Sequence, residues 1–344
     1  MKSTIHEFPK NNLKLVSKTN FKTMAILFLG ITTLISCNND DENSISPTQI
    51  PPSSQEFGVL RNEALQNQTQ NFTATAGSGI INLTSSHGVQ ISFNGNNLTK
   101  NGNPVTGAID IKFIEIFDKG TMLVTNKSTM GKMSNGNKSI LKSGGEFYIA
   151  ASQGGVQLVS TGNIQLNVPA SLTGTVDTGM TFWDGNINDP ENIVWQKPEP
   201  ITGGHGGVVG FNQTSYTATF GNFGWTNIDR FISDPRPKTQ ILATVPAGYN
   251  ATNCGIYLSV DGEGQNQLAK FDTYNPTTLQ FSEHYGQIPI GLACHIIFAT
   301  EDNGLWRYAI KSVTTVANGV TVFTMAETVV GTQNQMIAAI NAIQ

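Results

Sequence analysis

Asn101-Gly-Asn-Pro-Val-Thr-Gly-Ala-Ile-Asp-Ile-Lys-Phe113 is the stretch that decides the fold class of this chain. The Asn-Gly pair at its head suits the two central positions of a type I′ turn, both of which need a positive φ. Beyond the turn the residues alternate: Ile109, Ile111 and Phe113 are apolar, and Asp110 and Lys112 between them are charged. That is the period of a half-buried strand. The same grammar repeats outward from this point. Val89, Ile91 and Phe93 alternate up to Asn94-Gly95, Asn135-Gly136 precedes the run from Ile140 to Ala150, and Val156 to Val159 and Ile164 to Val168 add two strands before Pro169. Strand-length runs cut by tight turns, with no helical period among them, predict an all-β fold built from sandwiches.

Residues 171–206 interrupt this rhythm with Asp184-Gly-Asn-Ile-Asn-Asp-Pro190, further prolines up to Pro200 and Gly203-Gly-His-Gly-Gly207. Such a stretch predicts an inter-domain linker. A second β series then runs through Tyr216 to Phe220, Ile241 to Val245, Gly255 to Val260, Ile288 to Thr300, Leu305 to Ser312 and Val320 to Met325. Asn318-Gly319 between the last two predicts a hairpin. From Thr332 to Ile343 the residues Met336, Ile337, Ile340 and Ile343 share one helical face, which predicts a short C-terminal helix on the second sandwich. The expected organisation is therefore two consecutive Ig-like or transthyretin-like sandwiches, residues 71–170 and 207–344.

The N-terminus carries an address. Five lysines precede the apolar run Met24 to Ile35, which is far short of the roughly 20 apolar residues a membrane span needs and reads as a cleavable signal. Leu34-Ile35-Ser36-Cys37 resembles a lipobox, so residues 1–36 are expected to be removed and Cys37 to carry the lipid. Asp40, Asp41 and Glu42 come next with no basic residue nearby, and this cluster resembles the export signal of Bacteroidota surface lipoproteins. Read physically, it is a solvated tether. Residues 37–70, with Pro47, Pro51, Pro52 and several serines, predict a flexible stalk. Cleavage removes five lysines and one glutamate, taking the formal charge from −4 to −8. A nucleic-acid partner is thereby excluded on electrostatic grounds.

Chemistry-bearing motifs are sparse. Neither Gly-x-Ser-x-Gly nor His-Glu-x-x-His occurs. His87, His205, His284 and His295 stand singly, and Glu283 and His284 point to opposite faces of a strand. Asp184-x-Asn186-x-Asn188 opens like a calcium loop but lacks its glycine and closing glutamate, and Asp261-Gly-Glu-Gly264 is an acidic turn. No metal or cofactor is expected. Glu115 is in phase with the core residues of its strand; a buried carboxylate would need hydrogen bonds or a proton, and the preferred alternative is a β-bulge near Phe113-Ile114 that turns it outward. Trp225-Thr-Asn227-Ile-Asp229-Arg230 could form a binding patch by stacking and charge-assisted hydrogen bonds, but such a run is more often a sandwich's own core Trp with a satisfied Asp–Arg pair, the preferred reading. Cys254 and Cys294 are candidates for a disulfide, their strands' pairing being left open.

Asn101-Gly-Asn-Pro-Val-Thr-Gly-Ala-Ile109, Glu115-Ile-Phe-Asp-Lys-Gly-Thr-Met122 and Ser143-Gly-Gly-Glu-Phe-Tyr-Ile149 resemble the first module of a group of flavobacterial-type Bacteroidota surface lipoproteins, and Trp225 to Phe231 their second. The Asn-Gly-x-Pro-Val-x-Gly portion is also similar to carboxypeptidase-regulatory and other transthyretin-like sandwiches, which implies structure without catalysis. The leading expectation is a non-enzymatic, outer-membrane lipoprotein with a binding, adhesion or envelope-organising role and a glycan or envelope protein as ligand. Two other expectations stand beside it: glycan capture through exposed Trp183, Trp195, Trp225 and Trp306, and hydrolysis of envelope polymers by carboxylates converging in one cleft.

Overall fold

The Asn101-Gly102 turn forms with φ values of 51° and 81° and joins the short strands Leu98–Lys100 and Asn103–Pro104. The computed structural model describes residues 50–186, 193–198, 206–262 and 266–343. The signal, Cys37, Asp40, Asp41 and Glu42 lie outside the described residues. Within them the chain is all-β, its sheets packed face to face, and Gln49–Gln344 is one compact unit.

The first sandwich packs a sheet that includes Gln70–Ala76, Gly107–Ile116, Lys138–Gln153, Gly224–Phe231 and Thr181–Asn186 against one of Val208–Phe211, Ser215–Phe220, Ile164–Pro169, Gln90–Asn94 and Ile80–Thr84. Ile109, Ile111, Phe113, Phe147 and Ile149 meet Ile91, Phe93, Leu166 and Tyr216 between them. The second sandwich packs Thr273–Asn275, Gln280–Pro289, Lys238–Thr244 and Val320–Val322 against Leu268–Lys270, Cys254–Val260, Ala293–Asp302, Leu305–Thr314 and Val329–Gly331. Its core is built on Ile256, Leu258, Ile296, Phe298, Phe281 and Ile288.

A third core joins the two. Helices α1 (Ser54–Asn67), α2 (Lys119–Val124) and α3 (Gln333–Asn341) contribute Phe57, Leu60, Met122, Leu123, Met336 and Ile340, which meet Trp183, Trp195 and Leu141 of the first sandwich and Tyr257, Ile297 and Trp306 of the second. Strand Cys254–Val260 is consequently buried on both faces: Ile256 and Leu258 face one core and Tyr257 the other. A strand covered on both faces reads as an unbroken apolar run rather than an alternating one.

This layering corrects several expectations. The described part of residues 171–206 belongs to the first sandwich rather than to an inter-domain linker, and the second sandwich does not begin at 207. Thr181–Asn186 and Val194–Gln196 are strands of the first sandwich, and Val208–Phe211, Ser215–Phe220 and Gly224–Phe231 pair with its sheets. The crossing falls at Ile232 to Pro237 instead, between the last strand of one and Lys238–Thr244 of the other. The expected stalk contains α1, opened by a capping box in which Ser53 Oγ accepts from the Glu56 amide and Glu56 accepts from the Ser53 amide. Asn318-Gly319 makes no hairpin with Leu305–Thr314, since Val320–Val322 pairs in parallel with Lys238–Thr244. Helix α3 forms with Thr332 as its cap and packs on α2 as well as on the second sandwich.

Candidate functional site

Strand Gly224–Phe231 divides the expected patch between two faces. Trp225, Asn227 and Asp229 point into the junction core and are buried, so they offer nothing to a ligand. Arg230 points away and pairs with Asp177, its Nε 2.6 Å from Oδ2. The Asp229–Arg230 pair therefore does not form, because neighbours on a strand face opposite ways. Asn227 lies opposite Glu146 and Asp229 opposite Ser143 on the paired strand, with a register shift between them. Ser143 Oγ donates to Asn227 Oδ1 at 3.1 Å, and Asn227 Nδ2 donates to Asp229 Oδ2 at 2.6 Å. Both Glu146 carboxyl oxygens and Asp229 Oδ1 are buried without a hydrogen-bond partner among the described residues. Burial holds both carboxyls well above the usual range, and the charge of Asp229 raises Glu146 further while Lys127 opposes it.

All four indoles are buried. Trp183 Nε1 donates to the Asp229 carbonyl at 2.8 Å and Trp195 Nε1 to the Ser128 carbonyl at 2.9 Å. Trp306 meets Phe57 edge to face, and Trp225 packs on Tyr148. An exposed row of indoles for stacking sugars is absent among the described residues, and the glycan reading loses the feature that suggested it.

Glu115 is buried, and its strand runs without the expected bulge: the pairing with Lys138–Gln153 keeps register through it, and the pairing with Gln70–Ala76 keeps register as far as Phe113. Ile114 and Ile116 are inward all the same, because they face the junction core while Phe113 faces the sandwich core. The carboxylate is satisfied by the tight turn at 85–88, accepting from Ser85 Oγ at 2.7 Å and Gln70 Nε2 at 2.8 Å, with His87 Nδ1 at 2.8 Å. Glu283 and His284 face opposite ways as expected: Glu283 is wholly buried, while His284 is exposed and lies 3.1 Å from Asp272. Asp272 also holds Lys138 Nζ at 2.8 Å, which ties the first sandwich to the second. Glu283 sits where the strand Gln280–Pro289 bulges, with the amides of Tyr285, Gly286 and Gln287 nearby but none in hydrogen-bond geometry. Burial, with Asp272 adding to it, pushes its carboxyl up to about 8.

Asp184 belongs to a strand and is half-buried, and Asn188 of the same motif lies outside the described residues, as does part of the acidic turn after Asp261. Cys254 and Cys294 do not form a disulfide. Their strands are neighbours, but Cys254 registers with Thr300 and Cys294 with Val260. Six residues of strand, roughly 20 Å, part them, against the ~7 Å a bridge can span. Burial pushes the Cys294 thiol up to about 12, so it is an inert core group.

Two hollows remain. A groove of about 540 Å³ runs between α1 and the turn at Asn303-Gly304 and is lined by Glu56, Glu63 and Glu301. Two of its carboxylates are already used, Glu56 on the Ser53 cap and Glu301 on the Gly304 amide. The second, a cavity of about 230 Å³, lies on the seam between the sandwiches. Ile140, Ile232, Val260, Pro289 and Leu292 form an aliphatic wall, and Asp234, Lys238, Asp261 and Gln267 supply polar groups. It draws on both sandwiches and on the crossing segment, so it exists only because they are fused. Sequence reasoning missed this site because it placed the crossing elsewhere. Asp234-Pro-Arg-Pro237 was the signal that could have located it.

No family model matches the chain, and no curated protein is similar to it at a significant level.

Proposed function

We propose that this chain is a lipid-anchored, surface-displayed protein that binds a ligand or envelope partner and catalyses nothing. The observation that carries this reading is Leu34-Ile35-Ser36-Cys37 followed at once by Asp40, Asp41 and Glu42: an apolar signal, a small residue at the cleavage point, the thiol that takes the lipid, and a solvated acidic tether. The tether leads into a capped helix that is part of one compact unit, which suits a body held off a membrane to meet something. A cavity on the seam, aliphatic with a few polar groups, has the character of a small-ligand site.

Metabolic labelling with an alkyne fatty acid, followed by protease shaving of intact cells, tests the reading. The wild-type chain is expected to take the label and be shaved. Cys37→Ala is expected to lose the label and leave the membrane fraction, and Asp40, Asp41 and Glu42 replaced together by Asn should keep the label but resist shaving. An unlabelled wild-type chain would overturn the anchor. A labelled chain that is never shaved would overturn surface display.

A further inference from the structure

The seam cavity has an excess of acceptors. Gln267 lines it and is about 95% buried, and its Oε1 has no hydrogen-bond partner among the described residues. A buried carbonyl oxygen left without a donor costs about 1–3 kcal/mol, so the site is short of an N–H or O–H. Asp261 is a second acceptor, with one oxygen 2.7 Å from His295 Nδ1. The remaining charges are already engaged. Asp234 accepts from Arg236 through its backbone amide, Nε and Nη2, which holds its carboxyl down at about 2. The Lys238 ammonium donates to the carbonyls of Asp234 and Arg236. Lys119, whose charge reaches Asp261, donates to the Ile343 carbonyl at 2.8 Å. No cation of the wall is left uncommitted to meet an anionic ligand.

The shape narrows the ligand further. Ile140, Ile232, Val260, Pro289 and Leu292 are aliphatic, and no aromatic ring lines the cavity to stack on a sugar. An unbranched methylene stem suits such a wall, with its polar head at the acceptors. We propose that the seam cavity binds a primary amine carried on an aliphatic stem, the chemistry that a lysine side chain presents. This rests on the binding role proposed above and names its site and ligand class. The ammonium replaces the missing donor at Gln267 Oε1, meets the Asp261 carboxylate, and buries its stem against the wall.

The test uses the mature chain in detergent micelles, titrated calorimetrically with Nα-acetyl-lysine methylamide, with its norleucine counterpart, which keeps the stem but lacks the amine, and with glucose. The lysine probe is expected to bind and the other two to bind at least tenfold more weakly. Gln267→Met keeps the side chain's length and removes the acceptor, so it should weaken the lysine probe about tenfold. Leu292→Trp fills the cavity from its aliphatic side and should abolish binding without touching an acceptor; it also decides the matter if Gln267→Met fails to fold. Equal binding of the lysine and norleucine probes, preference for glucose, or full affinity in a folded Gln267→Met or Leu292→Trp chain would overturn the proposal, as would no binding at all. Those results leave labelling and shaving untouched, so failure of the site and failure of surface display are read separately.

Discussion

Glu283→Gln should make the protein more stable at neutral pH, by an amount that depends on pH. Glu283 is wholly buried at the bulge of Gln280–Pro289, and burial beside Asp272 pushes its carboxyl up to about 8 from an ordinary 4.5. Between those values the folded chain keeps a proton that the unfolded chain has released. Stability is therefore fully present below about pH 4.5 and is lost as pH rises, at about 1.4 kcal/mol per pH unit, until the folded carboxyl itself ionises near pH 8. At pH 7 the accumulated loss is about 3 kcal/mol. Glutamine has the same shape and no proton to lose, so the variant should escape this loss. Urea unfolding of Cys37→Ala chains, with and without Glu283→Gln, at pH 5, 6, 7 and 8 measures it. The gap between the two is expected to be small at pH 5 and to widen by several-fold by pH 8. A gap that stays constant over this range would refute the reasoning, because it would mean that Glu283 is ionised in the fold or reaches solvent.

Two other substitutions probe the layer between the sandwiches. Phe57→Ala removes the α1 ring that meets Trp306 at 6.1 Å; a buried Phe truncated to Ala costs about 3–5 kcal/mol, and limited proteolysis within 54–67 should accelerate while cutting elsewhere does not. Glu146→Gln should be neutral to within about 1 kcal/mol at pH 7, or stabilising, since burial and Asp229 already hold that carboxyl well above the usual range. A loss of several kcal/mol on thermal or urea unfolding would show that Glu146 acts as an anion paired with Lys127.

What the sequence revealed depended on whether the cause was local. Asn101-Gly102 and the alternation of Ile109, Ile111 and Phe113 are settled by turn geometry and strand period, and both appear where expected. The capping box of α1 was also written in the sequence as Ser53-x-x-Glu56. Its buried stripe, however, contains only Phe57, Leu60, Arg61 and Ala64, too thin a hydrophobic signal to separate a helix from a polar stalk. That stripe is covered by Trp306 and Tyr257 from far along the chain. The domain boundary failed for a similar reason. Prolines and glycines from 171 to 206 suggested a linker, whereas membership of Gly224–Phe231 in the first sandwich depends on pairing with Lys138–Gln153, which no local signal encodes. Glu115 shows the limit most plainly. Its strand needed no bulge to bury Ile114 and Ile116, because a second body covers the face that one sandwich alone would leave in water.

If the chain is tethered as proposed, the fused seam has a mechanical consequence. The chain enters the described body through α1, and α1 lies on the second sandwich, where Phe57 meets Trp306 and Arg61 donates to Tyr257 at 3.0 Å. It then crosses at once into Gln70–Ala76, an edge strand of the first sandwich. Tyr257 in turn donates to Asn126 at 2.8 Å, in the buried loop after α2. Arg61, Tyr257 and Asn126 therefore link the entry helix, the second sandwich and the first in one hydrogen-bonded chain. Lys138 and Asp272 add a second tie on the same seam. Tension on a lipid anchor at Cys37 would act on α1 and so on both sandwiches together, with the junction core of Trp183, Trp195, Tyr257 and Trp306 resisting their separation. A site on that seam is shaped by both bodies, and its geometry can hold under load only as long as the junction does. If the seam cavity binds as proposed, Phe57 bears on ligand capture as well as on stability, though it does not line the cavity.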